Sequence, residues 1–252
     1  MQLAFILLAQ PVELDPARIR SALGKAWDEP IAVSEGAGEN GVAAFSIGEA
    51  DSFFLMPVAA PIPDNEAEAM AEYSVSSLGT GWRPRVHEAH LMATMQEGET
   101  ETPLRRLSRF TRLLAGVIDS VDHVLGVYWG DAHATHDPDF FRDIAMDDAL
   151  LPVHLWNGVS LASDGEQVSL LSLGMAQLGQ PDLKLTGPRS EGNAVIAYFF
   201  DLLAYAARRG QAVAEGETVG RSDGEKLIVR HEPSPIAEGR TIWCVDLPRP
   251  GA

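Results

Sequence analysis

Two apolar runs, LAFILLAQ (3–10) and VLGVYW (124–129), are each followed within a few residues by an Asp-Pro pair, Asp15-Pro16 and Asp137-Pro138. A continuous apolar run of this length reads as a strand buried on both faces. The aspartate offers an N-cap acceptor, and the proline supplies a first helical residue whose φ is already set. A chain that passes this way from buried strand to capped helix must pack helices on a sheet.

The remaining signals extend the pattern. Behind Asp15, one helix side carries Ile19, Leu23, Ala26 and Trp27. The Gly-, Glu- and Pro-rich segment 28–41 reads as loop. Strands follow at 42–47 and 52–58, joined by a turn at 48–51. Asp64 opens the weaker helix DNEAEAMAEYS, with acids in its first turn. Gly79 and Gly81 end it, and 87–96 reads as another strand. This is the β-α-β-β-α-β order of a ferredoxin-like module.

Thr102 and Pro103 then open a helix whose apolar face runs through Leu107, Phe110, Leu114, Val117 and Val121. The order recurs after it. There is a strand at 124–129, a helix from Asp137, two strands in HLWNGVSLAS and QVSLLSLGM, and a long helix from Ser190 closed by Arg208, Arg209 and Gly210. Short strands at 226–230 and 241–247 finish the chain. The expected class is α+β. It comprises two ferredoxin-like modules, 1–100 and 123–252, bridged by a helix over 101–122, with their sheets packed or continuous, or merged into one domain.

The chain has 252 residues, and 36 Asp and Glu outweigh 19 Lys and Arg, for a net charge of −17. An acidic surface repels phosphate backbones and anionic lipid, so neither nucleic acid nor membrane is an expected partner. No apolar stretch is long enough to span a bilayer. The opening FILLA lacks the basic flank of a signal peptide. The single cysteine, Cys244, excludes an internal disulfide and reads as a buried, inert thiol. These features point to a cytoplasmic protein, either a monomer or a small homo-oligomer.

The segments GVYWGD (126–131), LWNGVSL (155–161), LGMAQLGQPDLKL (173–185) and GETVG (216–220) resemble the uncharacterised bacterial family called domain of unknown function 4261. The resemblance implies a compact α/β or α+β domain. It transfers no catalytic residue.

Several clusters could carry chemistry. YWGDAHATHDPDFF (128–141) lies between a strand and a helix, where ligand-binding loops are often presented. Asp131, His133 and His136 together form a candidate divalent-metal or acid–base set, with Trp129 beside them. The plainer reading makes Asp137 a cap and the histidines solvated. His154 and Trp156 share one face of the expected strand, which would allow His154 to join that set. His87 and His90 should point to opposite faces of theirs. In GTGWRPRVH, Arg83 and Arg85 could form a fork for a small anion, with Trp82 as a stacking face. The alternative is a turn whose arginines pair with the chain's own carboxylates. Arg105, Arg106, Arg109 and Arg112 form a basic helix stripe, expected to be solvated or self-paired.

No Gly-x-Ser-x-Gly elbow, phosphate-binding lysine loop, dinucleotide fingerprint or His-Glu-x-x-His motif occurs. The leading expectation is therefore a non-enzymatic binding or interaction protein. It would have no cofactor and an unknown protein or small-molecule partner of basic character. The alternatives are a metal-assisted or acid–base hydrolase using Asp131, His133 and His136, and an anion-binding module at Trp82, Arg83 and Arg85.

Overall fold

The computed structural model describes residues 2–34, 41–49, 51–96 and 102–248. The chain packs as two units, Met1–Trp156 and Asn157–Ala252, and mixes helices and sheets in both. The helix starts marked by Asp-Pro and Thr-Pro are built by those residues. Asp15 accepts the backbone N–H groups of Ala17 and Arg18 ahead of α1 (Pro16–Ala26). Thr102 accepts that of Arg105 ahead of α3 (Pro103–Ser120).

In the first unit, β1 (Gln2–Leu8) lies inside a seven-stranded sheet with β2 (Ile31–Val33), β3 (Ala43–Ile47), β4 (Asp51–Val58), β5 (Ala89–Gln96), β6 (Val124–Trp129) and β7 (Ala134–His136). Their order is β2-β3-β4-β5-β1-β6-β7, and every pairing is antiparallel. One sheet face meets α3, where the ring of Phe110 lies 6.1 Å from that of Phe53 and 5.4 Å from that of Trp129. On the other face, Ile62 and Ala67 cover Leu7 and Tyr128.

This order corrects the ferredoxin-like expectation. A split β-α-β arrangement seats the first strand beside the third. Here β5 separates β4 from β1, and β6 occupies the other edge of β1. An inner strand pairs through both of its backbone edges, and the second edge of β1 takes in residues assigned by sequence to another module. The unit boundary consequently falls after Trp156, and α3 packs on α1 inside the first unit instead of bridging two modules. Three arginines of its stripe are paired with the chain's own carboxylates. Arg105 meets Glu29 at 2.5 Å, the buried Arg109 meets Asp51 at 2.7 Å, and Arg112 pairs with Asp148.

Local departures have local causes. The helix expected over 64–74 shrinks to α2 (Glu66–Ala69) with flanking 3-10 turns, because Asp64 and Asn65 take φ of 59° and 54°. Strand β2 lies in the segment read as loop, whose residues 35–40 fall outside the described ones. After α4 (Pro138–Met146), residues expected to begin a strand form α5 (Val153–Trp156). Pro152 precedes it, and the Trp156 indole donates to Thr111 Oγ1 at 2.8 Å.

The second unit holds a sheet of β8 (Gly158–Ser163), β9 (Gln167–Leu173), β10 (Leu183–Pro188), β13 (Arg230–Pro233) and β14 (Thr241–Asp246), ordered β13-β14-β10-β9-β8. Strands β10 and β14 are parallel, which requires a long crossover. That crossover contains α6 (Gly192–Arg209) and the ribbon of β11 (Thr218–Val219) and β12 (Leu227–Ile228). Gly210 closes α6 with φ of 68°, as its sequence signals, but Glu191 rather than Ser190 precedes the first helical residue. Among the described residues no helix is long and apolar enough to cross a membrane.

Candidate functional site

The 128–141 segment folds as a tight hairpin, and this separates the residues expected to act together. Trp129 is wholly buried against Phe110 and Phe141, so it is core rather than a ligand wall. His133 takes φ of 50° and turns the chain back into β7, leaving Asp131 and His133 exposed at the tip. His136 pairs across the ladder with Val127 and is completely buried. An Asp131, His133 and His136 ligand set is therefore not formed. His154, on α5 instead of a strand, lies near enough to His136 for its charge to disfavour protonation there. Among the described residues, no group of three or more His, Cys, Asp or Glu side chains is placed to hold a metal ion.

The environment of His136 fixes its tautomer. Nε2 lies 3.1 Å from the Leu155 carbonyl oxygen, which can only accept, so Nε2 carries the proton. Nδ1 then accepts from Ser74 Oγ at 2.7 Å. Ser76 Oγ donates to Ser74 Oγ at 2.7 Å and accepts the Asp137 backbone N–H at 3.1 Å. The relay thus runs from the first residue of the α4 cap through two hydroxyls to the imidazole and ends on a carbonyl. Burial pushes the His136 pKa down to about 4.

A Ser–His contact of this length is the spacing of a nucleophile and its base. Three features oppose that use. Ser74 has no exposed surface, a carbonyl stands where a carboxylate would stabilise an imidazolium, and an imidazole titrating near 4 is a weak base. The relay locks segment 74–77 to the start of α4.

Outside the relay lies a cleft of about 350 Å³, lined by Val75, Ser76, Thr80 and Trp82 and by Asp137 and Phe140. It joins two sequence candidates, the GTGW loop and the Asp137 cap. Hydroxyls hold the loop in shape. Thr80 Oγ1 donates to the Ser76 carbonyl at 2.6 Å and accepts the Trp82 N–H at 3.1 Å, while Ser77 Oγ donates to the Trp82 carbonyl at 2.9 Å. Asp137 accepts the Phe140 N–H at 2.9 Å and caps α4 as expected. Arg83 and Arg85 are not among the lining residues, and Arg83 donates to the Trp82 carbonyl at 2.8 Å. The expected anion fork is absent from the cleft, whose charged group is a carboxylate. Ser74, Ser76, Thr80 and Phe140 were missed as site residues. The run SVSSLGTGW, dense in hydroxyls and glycines, was the available signal.

His87 and His90 correct another expectation. Their rings lie 6.2 Å apart, because the strand begins at Ala89 and its alternation does not reach His87. His87 Nε2 accepts the Ile62 N–H at 2.7 Å, and Nδ1 donates to Glu68 Oε1 at 2.6 Å. His90 Nδ1 donates to the Ala60 carbonyl at 2.9 Å. These bonds pin segment 60–68 to the sheet. In the second unit Cys244 is buried, and burial pushes its thiol up to about 12, which removes it as a nucleophile.

Segments that suggested a family serve structure at several points. At Gly126 an added Cβ would approach Thr135 Cγ2 to 3.2 Å, so glycine allows β6 and β7 to close. Asp182 Oδ1 accepts from Ser172 Oγ at 2.9 Å and from the backbone of Gly174 and Met175 at 3.0 and 3.1 Å, tying the β9–β10 connection. No curated protein and no solved structure matches the chain. A family model described as a domain of unknown function, DUF4261, matches residues 171–245, less than a third of the chain and wholly within the second unit. Over those residues the chain resembles that family.

Proposed function

We propose that this chain is a non-catalytic binding protein that holds a small planar molecule in the first unit's cleft. One observation carries the reading: the cleft is walled by Trp82 and Phe140, while the groups behind it are already committed to the closed Ser76–Ser74–His136 relay. Aromatic walls supply apolar contact area, and the Asp137 carboxylate, of which only Oδ1 caps the helix, is the polar group that orients a ligand. Asp137 favours a neutral or hydrogen-bond-donating ligand over an anion. A cytoplasmic setting suits a chain whose single thiol is buried and unpaired.

Ligand-observed NMR with indole, benzimidazole and nicotinamide tests the proposal. At least one should bind in the millimolar range or tighter, with binding lost in Trp82→Ala and Phe140→Ala. No binding by any of the three, or binding indifferent to both substitutions, would overturn it.

A further inference from the structure

Helix α6 presents an unusual face. Ala194, Ala197, Tyr198, Asp201, Leu202 and Tyr205 recur at spacings of three and four, so they form one stripe. The strap Thr218–Val219–Gly220–Arg221 crosses opposite, leaving a cavity of about 560 Å³ between helix and strap. That volume accommodates a small organic ligand. The two small alanines create the room.

The strap is fastened at both ends. Arg209 at the end of α6 holds Glu217 through two nitrogens, at 2.5 and 2.8 Å. Arg221 binds Glu225 at 2.5 Å, and at Gly220 an added Cβ would lie 2.2 Å from the Glu225 carbonyl oxygen. Only glycine permits that approach, which gives Gly220 of the GETVG segment a physical role. The wall is built before any ligand arrives.

Among the described residues, two polar groups on the stripe lack partners. Tyr198 is only 7% exposed, and its hydroxyl oxygen is buried without a hydrogen-bond partner among the described residues. Such a group costs free energy unless something satisfies it. Burial and nearby Glu225 push its pKa up to about 12, so it remains a protonated donor and acceptor. Asp201 is exposed, and among the described residues it has no ion-pair or hydrogen-bond partner. The strap cannot balance it, because Arg221 is shared between Glu225 and Glu191.

We propose that the cavity between α6 and the 218–221 strap binds a small organic cation, an amine or guanidinium on an apolar body. Asp201 is its counter-ion, the Tyr198 hydroxyl a further hydrogen-bonding group, and Ala194, Ala197 and Leu202 the apolar seat. The chain's net charge of −17 favours a cation over an anion at long range as well. This site is independent of the first unit's cleft.

Isothermal titration of the full chain with tyramine, agmatine and putrescine tests the assignment, with 3-(4-hydroxyphenyl)propionate as the anionic counterpart of tyramine. At least one amine should bind, and the carboxylate should not. Asp201→Asn should weaken amine binding at least tenfold. Tyr198→Phe should weaken it several-fold without lowering the melting temperature, because the hydroxyl it removes has no partner among the described residues. Trp82→Ala should leave amine binding unchanged. Failure of all three amines to bind, equal affinity for the carboxylate, or an unchanged affinity in Asp201→Asn would overturn the proposal.

Discussion

His136 makes acid stability a quantitative test of the relay. Its ring is buried, with Nε2–H on a carbonyl and Nδ1 accepting from Ser74, and its pKa in the folded chain is about 4. An unfolded histidine titrates near 6.5. Between these values the unfolded chain binds the proton and the folded chain does not, so stability falls as the pH drops from about 6.5 towards 4. Linkage puts the loss through this residue at about 2 kcal/mol by pH 5 and about 3 kcal/mol by pH 4. The depressed imidazole of His90 adds a loss of the same sign over this range, and the depressed carboxyl of Glu68 adds one only below its ordinary value of 4.5, so the wild-type slope alone does not isolate His136.

The comparison to make is with His136→Gln, whose amide can still donate towards Leu155 but cannot titrate. The variant should lose about 1–3 kcal/mol at pH 7, because the Ser74 hydroxyl loses its acceptor. Its further loss between pH 7 and pH 5 should be smaller than the wild type's by about 2 kcal/mol. Urea unfolding of both proteins at the two pH values measures this directly. Parallel pH dependences, or an NMR titration placing the folded His136 near 6.5, would refute the reasoning.

Two further predictions follow from buried groups. Arg109 is 1% exposed and paired with Asp51, so Arg109→Ala should cost about 3–5 kcal/mol by stranding a buried carboxylate, read as a lower urea midpoint. Arg105→Ala, at an exposed position, should cost under about 1 kcal/mol. Cys244 should resist a thiol reagent such as Ellman's in the native protein at pH 8 and react completely in denaturant. Fast native labelling would contradict its burial.

The helix starts were legible because a cap is a local device. Asp15, Thr102 and Asp137 each bond to backbone N–H groups two or three residues ahead, so the sequence contains the whole interaction. Strands β1, β3, β4, β6 and β9 were legible from their apolar runs. Their partners were not. Nothing local tells β1 to pair with β5 and β6 rather than to sit beside β4, since either backbone edge can bond any strand and the choice is settled by the packing of the whole sheet. The expected strand order and the expected boundary between the modules differ from the structure for that reason. His154 was misplaced because VHLW at 153–156 fits a strand as well as a helical turn, and Pro152 together with the Trp156–Thr111 bond decides between them.

The candidate sites divide in the same way. The sequence by itself determined the residue types available: a hydroxyl-rich loop ending in Trp82, an Asp-capped helix carrying Phe140, and a helix stripe holding Tyr198 and Asp201. It also set the acidic balance and the single thiol. Only the tertiary structure decided that Trp82 and Phe140, far apart in the chain, line one cleft, and that His136 faces Ser74 instead of Asp131 and His133. It alone left the Tyr198 hydroxyl buried without a partner among the described residues. Residue chemistry is written in order along the chain. Convergence and burial depend on how the strands pair and on what packs over them, and those are properties of the whole fold.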